Sequence, residues 1–211
     1  MKEELHQAIV SGDAAATGPL VEKALAEGVK PLEVVQGILS PAMDEVGRRF
    51  ESGDCFVPEL LLAARAMKSA MAIIQPLLAE SGVEPLGRVV VATVNGDLHD
   101  IGKNLVAALL EGAGFEVIDL GVDVLPGKIV EAVKEKEAQV VALSALLTTT
   151  MPSMRTTIEA LEEAGVREGV KVFVGGAPIT QRFAEEIGAD GFSENAVGAV
   201  ALARGAVAAS S

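Results

Sequence analysis

The sequence predicts a helical bundle of roughly eighty residues, followed by a doubly wound, flavodoxin-like α/β domain with a five-stranded parallel sheet. Three observations support this. Through the first part of the chain, apolar residues recur at helical spacing. From residue 89 onward, short runs rich in β-branched residues alternate with helix-like segments. Between the two regimes lies Ser81-Gly82-Val83-Glu84-Pro85-Leu86-Gly87, which reads as a linker. The expected division is 1–80 and 88–211, joined by 81–87.

The first helix is expected over residues 2–11, stopped by Gly12. Asp13 can cap a second helix that runs to Glu27, where Gly28 breaks it. A third begins at Pro31, a favoured first-turn position, and reaches about Phe50; Pro41 inside it should kink it or mark a restart. After the turn Glu51-Ser52-Gly53-Asp54, a fourth helix starts near Pro58. It sets Leu60, Ala63, Ala64, Met67, Met71, Ile74 and Leu78 on one face, and Pro76 can bend its last turn. Four helices with short connections suggest an antiparallel bundle. Beyond the linker, strands are expected at 89–94, 116–120, 140–144 and 172–174, with a weak fifth near Gly191-Phe192. Helices are expected at 101–112, 126–136, 151–164 and 180–187, and an Ala-rich helix from about Asn195 closes the chain.

Composition narrows the function. The 211 residues are 50% hydrophobic, enough for a sizeable core, yet Trp and Tyr are absent. A net charge of −13 argues against nucleic acid, which rewards Lys and Arg against phosphates and aromatic stacking on bases. The single cysteine, Cys55, excludes an internal disulfide framework and fits a reducing compartment. The acidic start MKEELHQAIV is too short in its apolar part for a signal peptide, and no apolar run reaches the ~18 residues of a membrane span. A cytoplasmic protein without nucleic-acid or membrane partners is expected.

Chemistry-bearing residues gather where strands end, which is where open α/β sheets bind ligands. The first strand runs into Asn95-Gly96-Asp97-Leu98-His99-Asp100. Asp97 and His99 are two apart, so the carboxylate can accept a hydrogen bond from one ring nitrogen and leave the other free for a metal. Gly96 and Gly102 bracket the pair and allow close approach. Taken alone, Asp-x-His-x-x-Gly suits equally a histidine that caps the helix or bonds a neighbouring loop. The third strand runs into Ser144-Ala145-Leu146-Leu147-Thr148-Thr149-Thr150, and the fourth into Gly175-Gly176-Ala177. Thr149 or Thr150 could cap the next helix, with Pro152 near its start, and Gly175-Gly176 could be a plain turn. Those readings leave three small or polar loops on neighbouring strand ends unexplained.

Taken together, Asp97-Leu98-His99-Asp100-Ile101-Gly102, then Ser144-Ala145-Leu146 after 41 intervening residues (103–143), then Gly175-Gly176 after a further 28 (147–174), form an ordered set. In this the chain resembles the cobalamin-binding corrinoid proteins of methyltransferase systems, relatives of the cobalamin module of methionine synthase. The helical part matches that family's cap domain through Val46-Gly47-Arg48-Arg49-Phe50, Gly53 and Phe56-Val57-Pro58-Glu59. The resemblance implies that His99 is the lower axial ligand of cobalt, displacing the cofactor's own base, which becomes a buried tail. Asp97 would then hold the His99 tautomer, and Thr150 would continue the relay where methionine synthase has Ser. Ser144, Thr148 and Leu146 would meet the tail, Gly175 and Gly176 would leave it room, and Ala196 would sit beside it. Gly96, Leu98, Asp100 and Gly102 would make loop contacts. Phe50 and Val57 would shield the methyl group and Gln36 would lie near the corrin; for Phe50, ordinary bundle core is an equal reading. Cys55 and His6 match nothing in the signature.

The implied function is a methyl carrier, not an enzyme on its own, that cycles between cob(I)alamin and methyl-Co(III). Its implied partners are a donor-specific methyltransferase, a folate- or thiol-dependent acceptor methyltransferase and a reductive activation protein, with a hinge expected at 81–87. The alternative is a cobalamin-dependent sensor or regulatory module binding adenosylcobalamin, though nothing basic precedes the bundle as a DNA-binding domain would require. A response-regulator receiver needs an Asp where the third strand ends in Leu143-Ser144, and a mutase subunit would not need the helical cap.

Overall fold

The computed structural model describes residues 1–82 and 84–208; Val83 of the expected linker and residues 209–211 of the expected second domain lie outside the described residues. The chain divides into two compact units, Met1–Pro85 with Ala108–Gly114, and Leu86–Ala107 with Phe115–Ser211.

The first unit is helical: α1 (Lys2–Val10), α2 (Ala14–Ala26), α3 (Pro31–Val34), a π-helical turn (Val35–Leu39), α4 (Ser40–Ser52) and α5 (Val57–Glu80). Asp13 caps α2 as expected, its carboxylate accepting from the Ala16 N–H at 2.9 Å. The expected third helix is instead three consecutive segments. Pro41 is the physical reason: it brings no N–H for the carbonyl four residues back, and the ladder widens ahead of it, so that the Ser40 N–H donates to Val35 O. Pro76, by contrast, lies within a continuous α5. Leu60, Ala63, Ala64, Met67, Met71 and Ile74 of α5 are buried. Each large side chain among them contributes about 1.5–3 kcal/mol on leaving water.

The second unit alternates β1 (Arg88–Thr93), α6 (Ile101–Gly112), β2 (Glu116–Asp119), α7 (Pro126–Lys136), β3 (Val140–Ser144), α8 (Pro152–Glu163), β4 (Lys171–Gly175), α9 (Gln181–Glu186), β5 (Gly191–Ser193) and α10 (Ala196–Ala208). A short 3-10 turn, Arg167–Gly169, precedes β4 and was not anticipated. All strand pairs are parallel, in the order β2-β1-β3-β4-β5. This is the flavodoxin-like, doubly wound arrangement, and its topological switch point lies between β1 and β3. The core is aliphatic: Val90, Ala92, Val141, Leu143, Val172 and Val174 from the strands meet Ile129, Met154, Ile158 and Leu161 from the helices.

Register places the motifs. Thr93 pairs with Ser144, Ser144 with Gly175, and Gly175 with Ser193. The Asp/His loop, the hydroxyl-rich loop and the Gly-Gly loop therefore leave the sheet from one row of paired residues.

Candidate functional site

Beyond β1 the chain turns at Asn95-Gly96, with Gly96 at φ +85°, and delivers Asp97 into the interior at 0% exposure. Five donors converge on its carboxylate. Oδ1 accepts from His99 Nδ1 at 2.7 Å and from the His99 N–H at 3.1 Å. Oδ2 accepts from the Leu146 N–H at 2.8 Å, the Leu147 N–H at 3.2 Å and Thr150 Oγ1 at 2.7 Å. Burial opposes the charge, but the hydrogen bonds from Thr150, Leu146 and His99 outweigh it and hold the Asp97 carboxyl well below the usual carboxylate range. An acceptor-only carboxylate assigns the Nδ1 proton to the neutral ring and leaves the lone pair on Nε2. The imidazole is half exposed, and Thr93 Oγ1 donates to the His99 carbonyl at 2.9 Å to fix its backbone.

The sign of the Asp97 shift sets a pH expectation. A carboxyl depressed in the fold stabilises fully above its unfolded value near pH 4, and that stability is withdrawn as pH falls further. An Asp97→Asn variant confronts these donors with an NH₂ group and should lose about 1–3 kcal/mol at neutral pH. Denaturant unfolding should show the gap to wild type narrowing below about pH 4. A gap independent of pH contradicts the assignment.

The strand-end row brings Gly96, Asp97, Leu98, His99, Asp100 and Gly102 together with Ser144, Leu146, Thr148 and Thr150, and with Gly175 and Gly176. Ser144 is half buried at the last position of β3, Thr148 is exposed, and Ala196 is buried at the start of α10. Gly176 sits at φ +131°, and a Cβ there would lie 1.9 Å from the Ala145 carbonyl oxygen. Its lack of a side chain thus lets β4 run hard against the β3–α8 loop that holds Asp97. A Cβ on Gly102 would meet nothing within 4 Å. Leu98, Leu146 and Leu147 are exposed on these loops, as are Ile101 at the start of α6 and Leu125 ahead of α7, an apolar surround for the polar relay.

Three of the expected residues belong to the helical unit. Gln36 is exposed in the π-helical turn, Phe50 is half buried in α4, and Val57 is partly exposed at the start of α5. His6 lies near Glu45, with Nε2 3.6 Å from the carboxylate. Cys55 is buried, and burial pushes its thiol pKa up. The capping expected of Thr149 or Thr150 is not found: the N-cap of α8 is Met151, with no side-chain bond. The Thr150 hydroxyl is engaged by Asp97. Sequence reasoning missed Asp123, whose Oδ1 accepts from Asn95 Nδ2 at 2.8 Å at the start of the Asp/His loop. The available signal was Gly121-Val122-Asp123, a turn-forming Gly and Asp directly after β2.

The donor set admits a particular kind of metal centre. A carboxylate-backed imidazole is a ready metal ligand. Among the described residues, however, no group of three or more His, Cys, Asp or Glu could hold an ion. His99 Nε2 is thus the one candidate metal-ligating atom that this carboxylate-backed arrangement presents on the strand-end loops. Sheet and site together define an open parallel α/β sheet that presents a carboxylate-backed imidazole at its switch point.

Comparison with known proteins makes this specific. Two family models, each described as a B12 binding domain, match residues 1–75 and 87–201. The trimethylamine corrinoid protein 2 of Methanosarcina mazei is 45% identical over 212 residues, covering 98% of this chain and 97% of its own. The dimethylamine corrinoid protein 1 of Methanosarcina acetivorans is 45% identical over 203 residues, covering 96% and 95%. The crystal structure of the methanol:cobalamin methyltransferase complex MtaBC from Methanosarcina barkeri contains a chain matched with a TM-score of 0.85 at 29% identity, over 97% of this chain and 78% of that one. The chain belongs to the corrinoid proteins of methyltransferase systems, and its cofactor is cobalamin or a related corrinoid. Among the described residues, no helix is long and apolar enough to cross a membrane.

Proposed function

We propose that the chain is the methyl carrier of a multi-component methyltransferase system, binding cobalamin with His99 in the lower axial position. The observation that carries this is the 2.7 Å bond from His99 Nδ1 to a fully buried Asp97, with Nε2 left on a half-exposed ring. The bound corrinoid supplies a cobalt centre that accepts a methyl group and gives it up. His99 would hold the metal through its Nε2 lone pair, its Nδ1 proton being donated to Asp97. Asp97, kept anionic by its donors, would hold the ring in that tautomer. Thr150 holds Asp97 Oδ2 and so supports the relay without touching the ring.

For the cofactor's displaced base and tail we assign Ser144, Leu146, Thr148, Gly175, Gly176 and Ala196, and for the corrin underside Gly96, Leu98, Asp100 and Gly102. Gln36, Phe50 and Val57 are assigned to its methyl face on resemblance alone. On this reading residues 1–80 form a helical domain, 81–87 a link and 88–211 the cobalamin domain, in a cytoplasmic protein. The equal identity to trimethylamine and dimethylamine corrinoid proteins supports a methylated amine as donor. Selection among amines then belongs to the partner methyltransferase, with an acceptor methyltransferase and a reductive activator completing the system.

The test is direct, because a chain without Trp or Tyr leaves the corrinoid spectrum almost unobscured. The protein reconstituted with hydroxocobalamin, reduced, and mixed with labelled amine and a trimethylamine- or dimethylamine-specific methyltransferase should acquire label on its corrinoid. A chain that stays colourless contradicts the whole reading. A coloured chain that gains no label from either enzyme contradicts the methylamine assignment.

A further inference from the structure

His99 is steadied by more than its carboxylate partner. The turn leading into it is bound along its length by one residue of the β2–α7 connection. Asp123 Oδ1 accepts from the Gly96 N–H at 2.7 Å and from Asn95 Nδ2 at 2.8 Å, while the Asp123 N–H donates to the Asp97 carbonyl at 2.9 Å. Asp123 sits at φ +52°, a left-handed conformation that Asp and Asn enter more readily than other side chains. Its neighbours fix it there. The Thr93 N–H donates to Gly121 O at 3.0 Å, the Val124 N–H donates to Thr93 O at 3.1 Å, and Val94 bridges Val124 in parallel. The flanks of Asp123 thus continue the β1–β2 pairing, and the residue in the costly conformation is the one that reaches across.

A second tie acts on the far end of the ligand loop. Lys103 is buried, and its ammonium donates to Asp119 at the end of β2 and to Asn104 Oδ1. Asn104 Nδ2 donates to Asp100 Oδ2 at 3.0 Å. Both ends of residues 95–100 are therefore anchored to the same short stretch, 119–123.

The bonds of Asp123 to this loop go to Asn95, the Gly96 amide and the Asp97 carbonyl, while those of the Asp97 carboxylate come from His99, Leu146, Leu147 and Thr150, so the relay's own hydrogen bonds do not include it. Its effect is on where the relay stands. The Asp97 side chain is tied to the β3–α8 loop, and its backbone is tied to Asp123. Two anchors on one residue fix its position, and with it the direction in which the His99 ring presents Nε2.

We propose that Asp123 is a positioning residue for the His99 ligand, setting the reach of the imidazole toward the cofactor through the Asn95-Gly96-Asp97 turn. This rests on the reading of His99 as the axial ligand.

Two variants separate backbone from carboxylate. Asp123→Gly keeps the left-handed conformation and removes the acceptor, and Asp123→Asn keeps both an oxygen acceptor and tolerance of that conformation. Wild type and variants, labelled with ¹⁵N-histidine, are titrated with hydroxocobalamin, and the bound cofactor is reduced to Co(II) for electron paramagnetic resonance, where an axial histidine nitrogen splits the cobalt signal into two lines and the cofactor's own base into three; the two-line share is the nitrogen-split share compared. Exchange of the Gly96 amide is followed in the apoproteins. The Gly variant should bind cobalamin about tenfold more weakly, by analogy with the loss of outer-sphere support at metal sites. It should also show a smaller nitrogen-split share and a faster-exchanging Gly96 amide, while the Asn variant restores all three. A purely structural loss would lower thermal stability and leave the nitrogen-split share of bound cofactor unchanged; that outcome overturns the proposal. So does an Asn variant that fails alongside the Gly variant. If wild type itself shows no nitrogen splitting, the axial-ligand reading falls first, before any variant is compared.

Discussion

Replacing His99 by glycine is expected to abolish nitrogen ligation from the protein and to weaken cobalamin binding by well over tenfold. Loss of a ligand's hydrogen-bond partner typically costs about 10–100-fold in metal affinity, and loss of the ligand itself should exceed that. The other histidine of the two, His6, is engaged beside Glu45 in the helical unit. The fold should survive. The ring is half exposed, and its removal takes one of five donors from Asp97, a cost of about 1–3 kcal/mol. Added imidazole should enter the vacated space and restore a nitrogen-ligated spectrum. Titration with cobalamin and denaturant unfolding read the two effects separately. An unchanged affinity and spectrum in the variant would remove His99 from the site.

The second large effect is on folding. Gly176→Ala is expected to lose about 3 kcal/mol or more, because two penalties coincide. The backbone is at φ +131°, and the new methyl group would stand 1.9 Å from the Ala145 carbonyl oxygen, with the Ala145 carbonyl carbon 2.9 Å away. Backbone, not a flexible side chain, would have to move. Ala145 is also tied to this strand end, its N–H donating to Gly175 O at 3.2 Å, and the next two amides hold Asp97 Oδ2. The strain should therefore reach the relay and reduce cobalamin uptake as well as stability. Gly102→Ala is the control, since its Cβ meets nothing within 4 Å, and it should unfold close to wild type. Thermal unfolding of both apoproteins checks this; equal stability of the two variants contradicts the packing account.

Much of this was legible in the sequence because the determinants are local. The periodicity change near residue 89 and the runs of Val in β1 and β3 gave the sheet its strands. Asp13 and Gly28 marked the start and the break of α2, which runs from Ala14 to Ala26, whereas α4 continues two residues into the turn expected at 51–54. The Asp97–His99 contact was legible for the same reason: two residues apart on one loop can meet without help from the rest of the fold. What depended on tertiary contact was not legible. Pro41 announced an interruption, but the form it took, a π-helical turn upstream, depends on how the ladder adjusts around a missing donor. Thr150 read equally well as a helix cap, and only the register of β3 beside β1 gives its hydroxyl to Asp97 instead. Asp123 stood 26 residues beyond Asp97; Gly121 and Asp123 marked a turn, but nothing in the sequence tied that turn to the Asp97 loop, and two of its three bonds there are to backbone groups, which a sequence does not display.

Whether His99 holds the cofactor is decided by the identity of one metal-bound nitrogen. The most direct measurement is electron paramagnetic resonance of the Co(II) holoprotein prepared from ¹⁵N-histidine-labelled cells in a His6→Gln background, which leaves His99 as the one histidine in the chain. The account predicts that the axial-nitrogen splitting changes from the three-line pattern of ¹⁴N to the two-line pattern of ¹⁵N. A three-line pattern that persists under labelling would assign the nitrogen to the cofactor's own base and contradict it.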